Sequence, residues 1–337
     1  MKRASFLTSL ARGCCAFSVL ALCLPAGAQM LSLSPPSTGA DFPSKPIKFI
    51  VPFPPGSGTD TSARYFGKKL SDLTGQAVVV ENKPGANGFI AVRAVLSAPA
   101  DGYTVFVGSN STLAVNAALF KALPYDPAAD LAPLTMMMRS PALLIVPPHS
   151  PYATVAELVA AAKAQPDKLD YGAGSAGYQL MAELFNDVAG TQTHHVPFKG
   201  AGEAITAVAS GTVHLAFADI TGASEMVKGG KLRALAVASD RRVAALPNVP
   251  TAAEAGLPNF TAFTWVAAMV SAKTPKPEVD KLATLLSKIE ALPETREFYE
   301  RLGAEVMRGG PEEMRNFQTA EIKLWKQIVT KARVEQQ

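Results

Sequence analysis

Two series of alternating strand-like and helix-like segments are the feature that most restricts how this chain can fold. In the first series, short runs of β-branched and aromatic residues are separated by longer segments with helical spacing. The predicted strands are residues 47–53, 77–81 and 103–107, and the predicted helices are residues 59–73 and 89–97. This order is typical of an α/β fold with a mostly parallel sheet that has helices on its faces.

A second series with the same alternation begins near residue 142 and predicts a second α/β unit. Its predicted strands are residues 142–146, 169–173, 194–198, 213–219 and 232–238, with helices at 154–165, 177–189 and 202–210. An extended segment and three helices should then close the chain, at residues 262–271, 276–291, 294–302 and 311–332. We therefore expect two lobes with a cleft between them and a helical tail that packs on lobe 1.

The chain is expected to cross between the lobes twice, near residues 140 and 262. Lobe 1 is then predicted to comprise residues 41–140 and 263–337, and lobe 2 residues 141–262. A length of 337 residues with 48% hydrophobic and 18% charged residues suits two domains of ordinary size. For the run Met136-Met137-Met138, beside the first crossing, we expect a gap-filling role in the core rather than a hinge.

A secretory signal peptide is predicted for residues 1–28. A positively charged start is followed by the apolar residues 14–24 and then by Ala26-Gly27-Ala28, which provides the small residues that signal peptidase requires. We therefore predict cleavage after Ala28 and export, which places the protein in the bacterial periplasm.

All three cysteines of the chain lie within this predicted signal peptide. The exported part would therefore contain no disulfide, no cysteine nucleophile and no thiolate metal site. Removal of the signal peptide also removes three basic residues, which leaves basic and acidic residues nearly balanced. The composition does not indicate nucleic-acid binding, and nothing in it indicates an obligate oligomer, so we expect a monomer.

Three junctions between a predicted strand and the next helix are rich in glycine and hydroxyl residues: 53–60, 108–112 and 172–178. Ligands of open α/β sheets bind beyond the carboxyl ends of the strands, and N–H groups at a helix start can hold an anion. None of the junctions contains lysine or arginine, which favours a carboxylate over a nucleotide triphosphate. The alternative is that these are ordinary turns with helix caps.

Two aspartates lie at such helix starts and carry different expectations. Asp60 should cap its helix or complement the helix dipole, because a carboxylate facing a carboxylate ligand would repel it. Asp219 follows an apolar strand, and it could either hold the ammonium group of an amino-acid ligand or cap the helix that starts near Ala223. The candidate ligand-binding residues are Phe53, Pro55, Gly56, Ser57, Gly58, Thr59, Ser109, Asn110, Ser111, Ser175, Ala176, Tyr178 and Asp219.

Motifs of common enzyme and metal sites are not found in the sequence. The loop Gly56–Asp60 has no lysine after its last glycine, as a P-loop requires, and it lacks the G-x-G-x-x-G spacing of dinucleotide sites. Neither Ser57 nor Ser175 lies in a G-x-S-x-G motif, and the four histidines have no metal-binding spacing. We therefore predict no catalytic residue, no metal site, no cofactor and no enzymatic activity.

A set of short motifs extends in order over almost the whole exported part of the chain. It comprises residues 45–60 with Arg64, 81–88, 101–104, 123–127, 171–175, 196–200, 230–236, 250–256 and Trp265. In order and residue type these motifs resemble the Bug family, the receptors of tripartite tricarboxylate transporters. The resemblance implies a two-lobed periplasmic-binding-protein fold (type II-like) that closes on a ligand. It also implies a small carboxylate as ligand, such as a dicarboxylic acid, citrate, an amino acid or nicotinate, and delivery to a membrane permease.

The resemblance implies that the loop 53–59 and the region of Ser109-Asn110 line the cleft from one lobe, and that the regions of Ser175-Ala176 and Asp219 line it from the other. Lys199 matches a lysine of the family and is either a ligand contact or a surface or interlobe residue. The chain departs from the family where Gly56-Ser57 replaces two glycines, and where Gly177 and Gln179 replace a common proline and histidine. Bulky Tyr178 lies beside these changes, and with Phe53 it would favour an aromatic or flat ligand.

The sequence thus predicts a periplasmic receptor that captures a small carboxylate for a tripartite tricarboxylate transporter by closure of two lobes. Two alternatives stay open at this point. The receptor could present its ligand to the ectodomain of a histidine kinase, or the cleft could belong to a secreted hydrolase with Asp60 or Asp219 as the general base.

Overall fold

A computed structural model describes residues 42–337, which lie in one compact unit. The predicted signal peptide lies outside the described residues. Ten strands form one sheet: β1 (Ile47–Val51), β2 (Val78–Asn82), β3 (Thr104–Ser109), β4 (Leu131–Val146), β5 (Asp170–Ala173), β6 (His194–Pro197), β7 (Leu215–Asp219), β8 (Arg233–Val237), β9 (Phe263–Ser271) and β10 (Glu305–Val306).

Helices connect most of these strands, close to the predicted positions. They are α1 (Gly58–Thr74), α2 (Phe89–Leu96), α3 (Asn116–Leu119), α4 (Val155–Ala164), α5 (Ala176–Ala189), α6 (Ala201–Ala209), α7 (Ile220–Lys228), α8 (Lys276–Glu290), α9 (Pro293–Arg301) and α10 (Pro311–Lys331). A single 3₁₀ turn, Ala86–Gly88, precedes α2, and a π-helical turn, Ser111–Val115, precedes α3. Within residues 42–337, no helix combines the length and the apolarity needed to cross a membrane.

The sheet is mixed rather than mostly parallel, which corrects the expectation from the sequence. Its strand order is β2-β1-β3-β9-β4-β7-β5-β6, with β8 and β10 also paired to β4. Strand β1 pairs in parallel with β2 and β3, and β5 pairs in parallel with β6 and β7. Strands β4 and β9 are antiparallel to their neighbours, because the chain reaches them by crossing between the two parallel halves.

Strand β4 is shared by both halves of the sheet and extends eleven residues before its predicted start. Residues 131–141 pair with β9, whereas residues 142–146 pair with β7 and β8. Pro133 and Pro141 interrupt the sequence pattern, but the register shifts between β4 and β9 accommodate such irregularities. The change of partners gives the two-lobed α/β fold and lies beside the predicted crossing near residue 140, while the exact lobe boundaries stay a prediction.

The C-terminal helices pack mainly on the half that contains β1. Buried residues of α8 and α9, including Leu286 and Tyr299, share one apolar core with Phe66 of α1. Helix α10 packs against β4, α3 and the π-helical turn, and it also contacts α5 of the other half. There Lys331 pairs with Asp187 at 2.7 Å, so the tail connects both halves of the molecule.

Candidate functional site

A small cavity of about 30 Å³ lies where the two halves of the sheet meet, beyond the carboxyl ends of β1, β3, β5 and β7. This is the position at which open α/β folds bind their ligands. A volume of this size has room for one or two water molecules and is too small for an organic acid. The cavity is lined by Phe53, Ser57, Gly58, Thr59, Ser109, Asn110, Ser111, Met138, Gly174, Ser175, Tyr178, Ala201, Asp219, Thr264 and Val266.

Most of the predicted ligand-binding residues therefore line this one cavity, from both halves of the sheet. Pro55, Gly56 and Ala176 are the exceptions. Pro55 and Gly56 are exposed at the turn before α1, where Gly56 adopts the positive φ of 83° that a side chain would disfavour. Ala176 is the first residue of α5 and is buried in the apolar core.

Helix α1 begins at the cavity wall with two backbone donors that no group of the described residues accepts from. The Ser57 hydroxyl caps the helix by accepting a 3.2 Å hydrogen bond from the Asp60 N–H. The N–H groups of Gly58 and Thr59 have no acceptor among residues 42–337. First-turn N–H groups carry partial positive charge, so this end of the cavity favours an anion.

Asn110 adds a neutral donor to the same wall. Its side chain is 1% exposed, and its Nδ2 has no hydrogen-bond partner among the described residues. A buried amide group without a partner costs free energy unless a ligand or water satisfies it. Asn110 also immediately precedes the π-helical turn, an irregularity that is frequent at functional sites.

Two hydrogen bonds connect the halves of the molecule across the cavity. The Ser111 hydroxyl donates to the Ser175 hydroxyl at 3.0 Å and accepts from the Gly177 N–H at 3.1 Å. Gly177 permits this approach, because a β-carbon there would lie 2.6 Å from Ser111 Oγ. The structure is therefore a closed form in which α5 contacts the π-helical turn.

Asp219 caps α7, as one of the two alternatives for it predicted, and it also lines the cavity, while its role towards a ligand ammonium group stays a prediction. Its Oδ1 accepts hydrogen bonds from the Gly222 N–H at 2.7 Å and the Thr221 hydroxyl at 2.6 Å. Its Oδ2 accepts from the Tyr178 hydroxyl at 2.6 Å. Burial and the neighbouring carboxylate raise the pKa of Tyr178 well above its usual range, so this phenol stays a donor.

Asp60 does not line the cavity, and it does not cap α1, because Ser57 does; it lies in the first turn, where it complements the helix dipole as the other alternative predicted. It accepts hydrogen bonds from the Gly56 N–H, the Asn82 amide and the Arg64 guanidinium. Burial alone would raise its pKa, but these hydrogen bonds and the charge of Arg64 outweigh burial and lower it. Asp60 therefore holds the loop before α1 in place and is fully engaged in doing so.

Five cavity residues escaped prediction from the sequence: Met138, Gly174, Ala201, Thr264 and Val266. Gly174 lies within one of the predicted junctions, and Ala201 starts α6 after β6, so a fourth strand–helix junction could have indicated it. The other three lie on β4 and β9, whose antiparallel position the local sequence does not indicate. Met138 is buried as expected for a core residue, but it also forms part of the cavity wall.

A larger open cleft of about 580 Å³ adjoins the cavity and shares Phe53, Gly174 and Ser175 with it. Lys199 and Gln179 lie in this cleft rather than in the cavity. His195 also lines it, and burial together with the charge of His194 lowers the pKa of His195 to about 4, so its ring is neutral at pH 7. The cleft thus offers the exposed cation of Lys199, the carboxylate of Glu203 and several neutral polar groups to a molecule that extends out of the cavity.

Neither the cavity nor the rest of residues 42–337 contains a cluster of three or more metal-binding side chains. The cavity lining includes no histidine, lysine or arginine, and Asp219 is its one ionisable carboxylate. The arrangement can accept hydrogen bonds at Asp219 and donate them at helix starts and hydroxyls.

Comparison with known proteins identifies the family to which the chain is similar. A family model described as the tripartite tricarboxylate transporter family receptor matches residues 62–334. The chain is similar to the R. palustris protein Rpa4515 solved with adipate, with 33% identity, a TM-score of 0.83, and coverage of 87% of this chain and 98% of that one.

Two further solved structures resemble the chain along its length. MatC (Rpa3494) from Rhodopseudomonas palustris, solved with bound malate, is 31% identical with a TM-score of 0.81, covering 86% of this chain and 100% of that one. The periplasmic binding protein BugD is 30% identical with a TM-score of 0.82, covering 88% of this chain and 100% of that one. With a family model that spans most of its length and relatives that share its fold, the chain belongs to the family of tripartite tricarboxylate transporter receptors, as the resemblance to the Bug proteins predicted.

Proposed function

We propose that this protein is an exported receptor that captures a small carboxylate between its lobes and delivers it to the permease of a tripartite tricarboxylate transporter. The observation that carries the proposal is the anion-favouring wall of the cavity. N–H groups at the start of α1 and the side-chain amide of Asn110 meet there without an acceptor in the described part of the chain, and the lining contains no lysine or arginine. Such a wall suits the modest charge of a carboxylate.

Ligand capture requires the cleft to open and close. The cavity of about 30 Å³ cannot admit an organic acid while Ser111 and Ser175 hold the halves together. In the proposed mechanism, the open form binds the carboxylate at the helix starts, and closure then excludes water and strengthens those hydrogen bonds. The adjoining cleft of about 580 Å³ would receive the rest of the ligand.

The relatives support the ligand class and the compartment. Rpa4515 and MatC were solved with adipate and malate, which are both small carboxylates, and BugD is described as a periplasmic binding protein. The predicted signal peptide at residues 1–28 supports export of this chain. We propose no enzymatic role, since Asp60 and Asp219 already accept several hydrogen bonds each and no histidine lines the cavity.

A thermal-shift screen of the purified protein tests the receptor function. About a hundred compounds would be compared, including mono-, di- and tricarboxylates, amino acids, sugars and nucleotides. A ligand that binds the native state raises the melting temperature by mass action. We expect one or a few carboxylates to do so, with titration calorimetry giving their affinity. Stabilisation by sugars or nucleotides alone would contradict the proposal.

A deletion strain tests the role in transport. Loss of this receptor should abolish uptake of the labelled carboxylate, and the gene on a plasmid should restore it. If uptake were unchanged while transcription induced by the same carboxylate disappeared, the protein would serve a sensor kinase instead.

A further inference from the structure

We infer that the ligand carries an ammonium group next to its carboxylate, so that the captured molecule is an amino acid rather than a plain carboxylic acid. The inference rests on the proposed function and names the ligand class for the same site. It follows from the position of Asp219, from the charges that surround the cavity, and from the donors that line the same cavity.

The first step is the charge of the cavity. Asp219 is 5% exposed and is the one formally charged residue in the cavity lining. Two cations of the surrounding elements lie outside that lining. Arg64 is paired with Asp60, and Lys199 is exposed in the adjoining cleft. A closed cavity that holds a ligand carboxylate beside Asp219 would contain two negative charges and no side-chain cation.

The second step is the direction of Asp219. Its Oδ1 is turned to the start of α7, where Thr221 and Gly222 occupy it. Its Oδ2 is turned to the cavity, and it lies 3.3 Å from the position that a β-carbon on Gly58 would take. Oδ2 accepts one hydrogen bond, from Tyr178, and a carboxylate oxygen can accept a second. A donor group of a ligand in the cavity could therefore form the second hydrogen bond to Oδ2.

The third step is the set of donors that line the same cavity as Asp219. Asn110 directs an unpaired Nδ2 towards the space next to Gly177, at 2.9 Å from the position of a β-carbon there. The Gly58 and Thr59 N–H groups likewise have no acceptor within residues 42–337. These donors fit a carboxylate, while Asp219 fits a cationic donor. One small cavity that offers donors to a carboxylate and an acceptor to a cation fits the adjacent carboxylate and ammonium groups of an amino acid.

The energetic difference between ligands is large enough to decide the ligand class. In a water-excluded cavity, charges of the same sign repel strongly, while an ammonium group would neutralise Asp219 and form a charge-assisted hydrogen bond. A hydrogen bond to a charged group contributes about 1.5–3 kcal/mol, which corresponds to roughly 10- to 100-fold in affinity. We expect this factor between an amino acid and the acid of the same skeleton without the amino group.

Matched ligand pairs provide the test. Titration calorimetry would compare L-alanine with propionate, L-aspartate with succinate, L-glutamate with glutarate, and any other carboxylate found by screening with its amino or deaminated counterpart. The expected result is that in each pair with measurable binding the amino acid binds about 10- to 100-fold more tightly. If the acid without the amino group bound equally well or better, the inference would be wrong and the carboxylate receptor would stand. If no carboxylate with or without an amino group bound, both the inference and the proposed receptor function would be wrong.

The variant Asp219→Asn removes the charge of this side chain and should leave the fold intact. Asparagine caps a helix as well as aspartate does, so α7 should be retained. The preference for the amino acid should fall to within a few-fold in this variant. Glu225→Gln is the matched control, because Glu225 is an exposed acid on the same helix, paired with Lys228 at 2.9 Å. Its preference should equal that of the wild type, and an equal loss in both variants would contradict a specific role of Asp219.

Discussion

Tyr178 shows how one side chain can serve both the fold and the cavity. It is 7% exposed, fills space between the halves of the sheet and directs its hydroxyl at Asp219. The sequence drew attention to it as a bulky residue beside a glycine-rich junction. The hydrogen bond to Asp219 could not be anticipated, because it connects residues 41 positions apart that are brought together by the pairing of β7 with β5.

Tyr178→Phe should destabilise the protein by about 1–3 kcal/mol, because a buried carboxylate oxygen loses its hydrogen-bond donor while the ring remains. The measurement is urea denaturation in the absence of ligand. Tyr152→Phe is the control, since the Tyr152 hydroxyl forms no hydrogen bond within residues 42–337 and the side chain is only partly buried. An equal change in the two variants would show that the Tyr178 hydroxyl contributes nothing specific.

Glu290 is a second residue whose environment predicts a measurable property. It is 3% exposed, at the end of α8, where the Thr135 hydroxyl hydrogen-bonds to its Oε1. Burial raises its pKa from 4.5 to about 8, although Gly309 and Arg308 oppose the shift. The folded protein therefore keeps a proton on Glu290 at pH values where the unfolded chain has lost it.

This proton makes stability depend on pH. Between about pH 4.5 and 8 the folded state binds more protons than the unfolded state, so the contribution of Glu290 to stability falls as the pH rises. Glu290→Gln should remove this contribution, and the stability difference between wild type and variant should shift by a few kcal/mol, in order of magnitude, across the window. Denaturation from pH 5 to 8 measures it. Exposed Glu297→Gln should follow the wild type, and parallel curves for all three proteins would refute the prediction.

Elements with a clear local pattern could be predicted from the sequence, and those defined by distant partners could not. Helix α1 has its cap at Ser57 and its terminating Gly75 with φ 70°, so both ends are encoded locally. The first part of β4 is different, because its prolines disrupt the strand pattern and pairing with β9 determines its structure. The same holds for the cavity: its helix starts could be predicted, while Thr264 and Val266 on β9 could not.

The start of α5 approaches Ser111 and Asn110 so closely that closure of the cavity depends on the small size of Gly177. Gly177 is the second residue of this helix, and a β-carbon there would lie 2.6 Å from Ser111 Oγ and 2.9 Å from Asn110 Nδ2. Gly177→Ala should therefore hinder closure and weaken ligand binding about 10-fold or more, a loss of at least 1.4 kcal/mol. Alanine is the better helix former, so the unliganded protein should not lose stability.

The corresponding position of α6 provides the control for this substitution. Gly202 is also the second residue of its helix, and a β-carbon there would have nothing within 4 Å. Gly202→Ala should leave ligand affinity unchanged in titration calorimetry. If Gly177→Ala bound ligand as well as Gly202→Ala did, contact between α5 and the π-helical turn would not be needed for binding.

At the scale of the whole molecule, the closed cavity must open towards the adjoining cleft before a ligand can enter. The two halves share β4 and are also connected by α10, so they cannot separate freely. Opening must therefore occur at the contacts around the cavity, where Ser111 and Ser175 meet at 3.0 Å. Blocking this single contact in its closed state should prevent ligand entry without changing the rest of the fold.

Ser111→Cys combined with Ser175→Cys tests this motion, because the two oxygens are close enough for their sulfur replacements to form a disulfide and residues 42–337 contain no other cysteine. The oxidised double variant should bind the carboxylate found by screening too slowly to measure, since the cavity of about 30 Å³ cannot admit it. Reduction should restore binding in stopped-flow or calorimetric measurements. The single Ser175→Cys variant, treated in the same way, should bind ligand whether oxidised or reduced. Rapid binding by the oxidised double variant would mean that the ligand enters by a route other than opening at this contact.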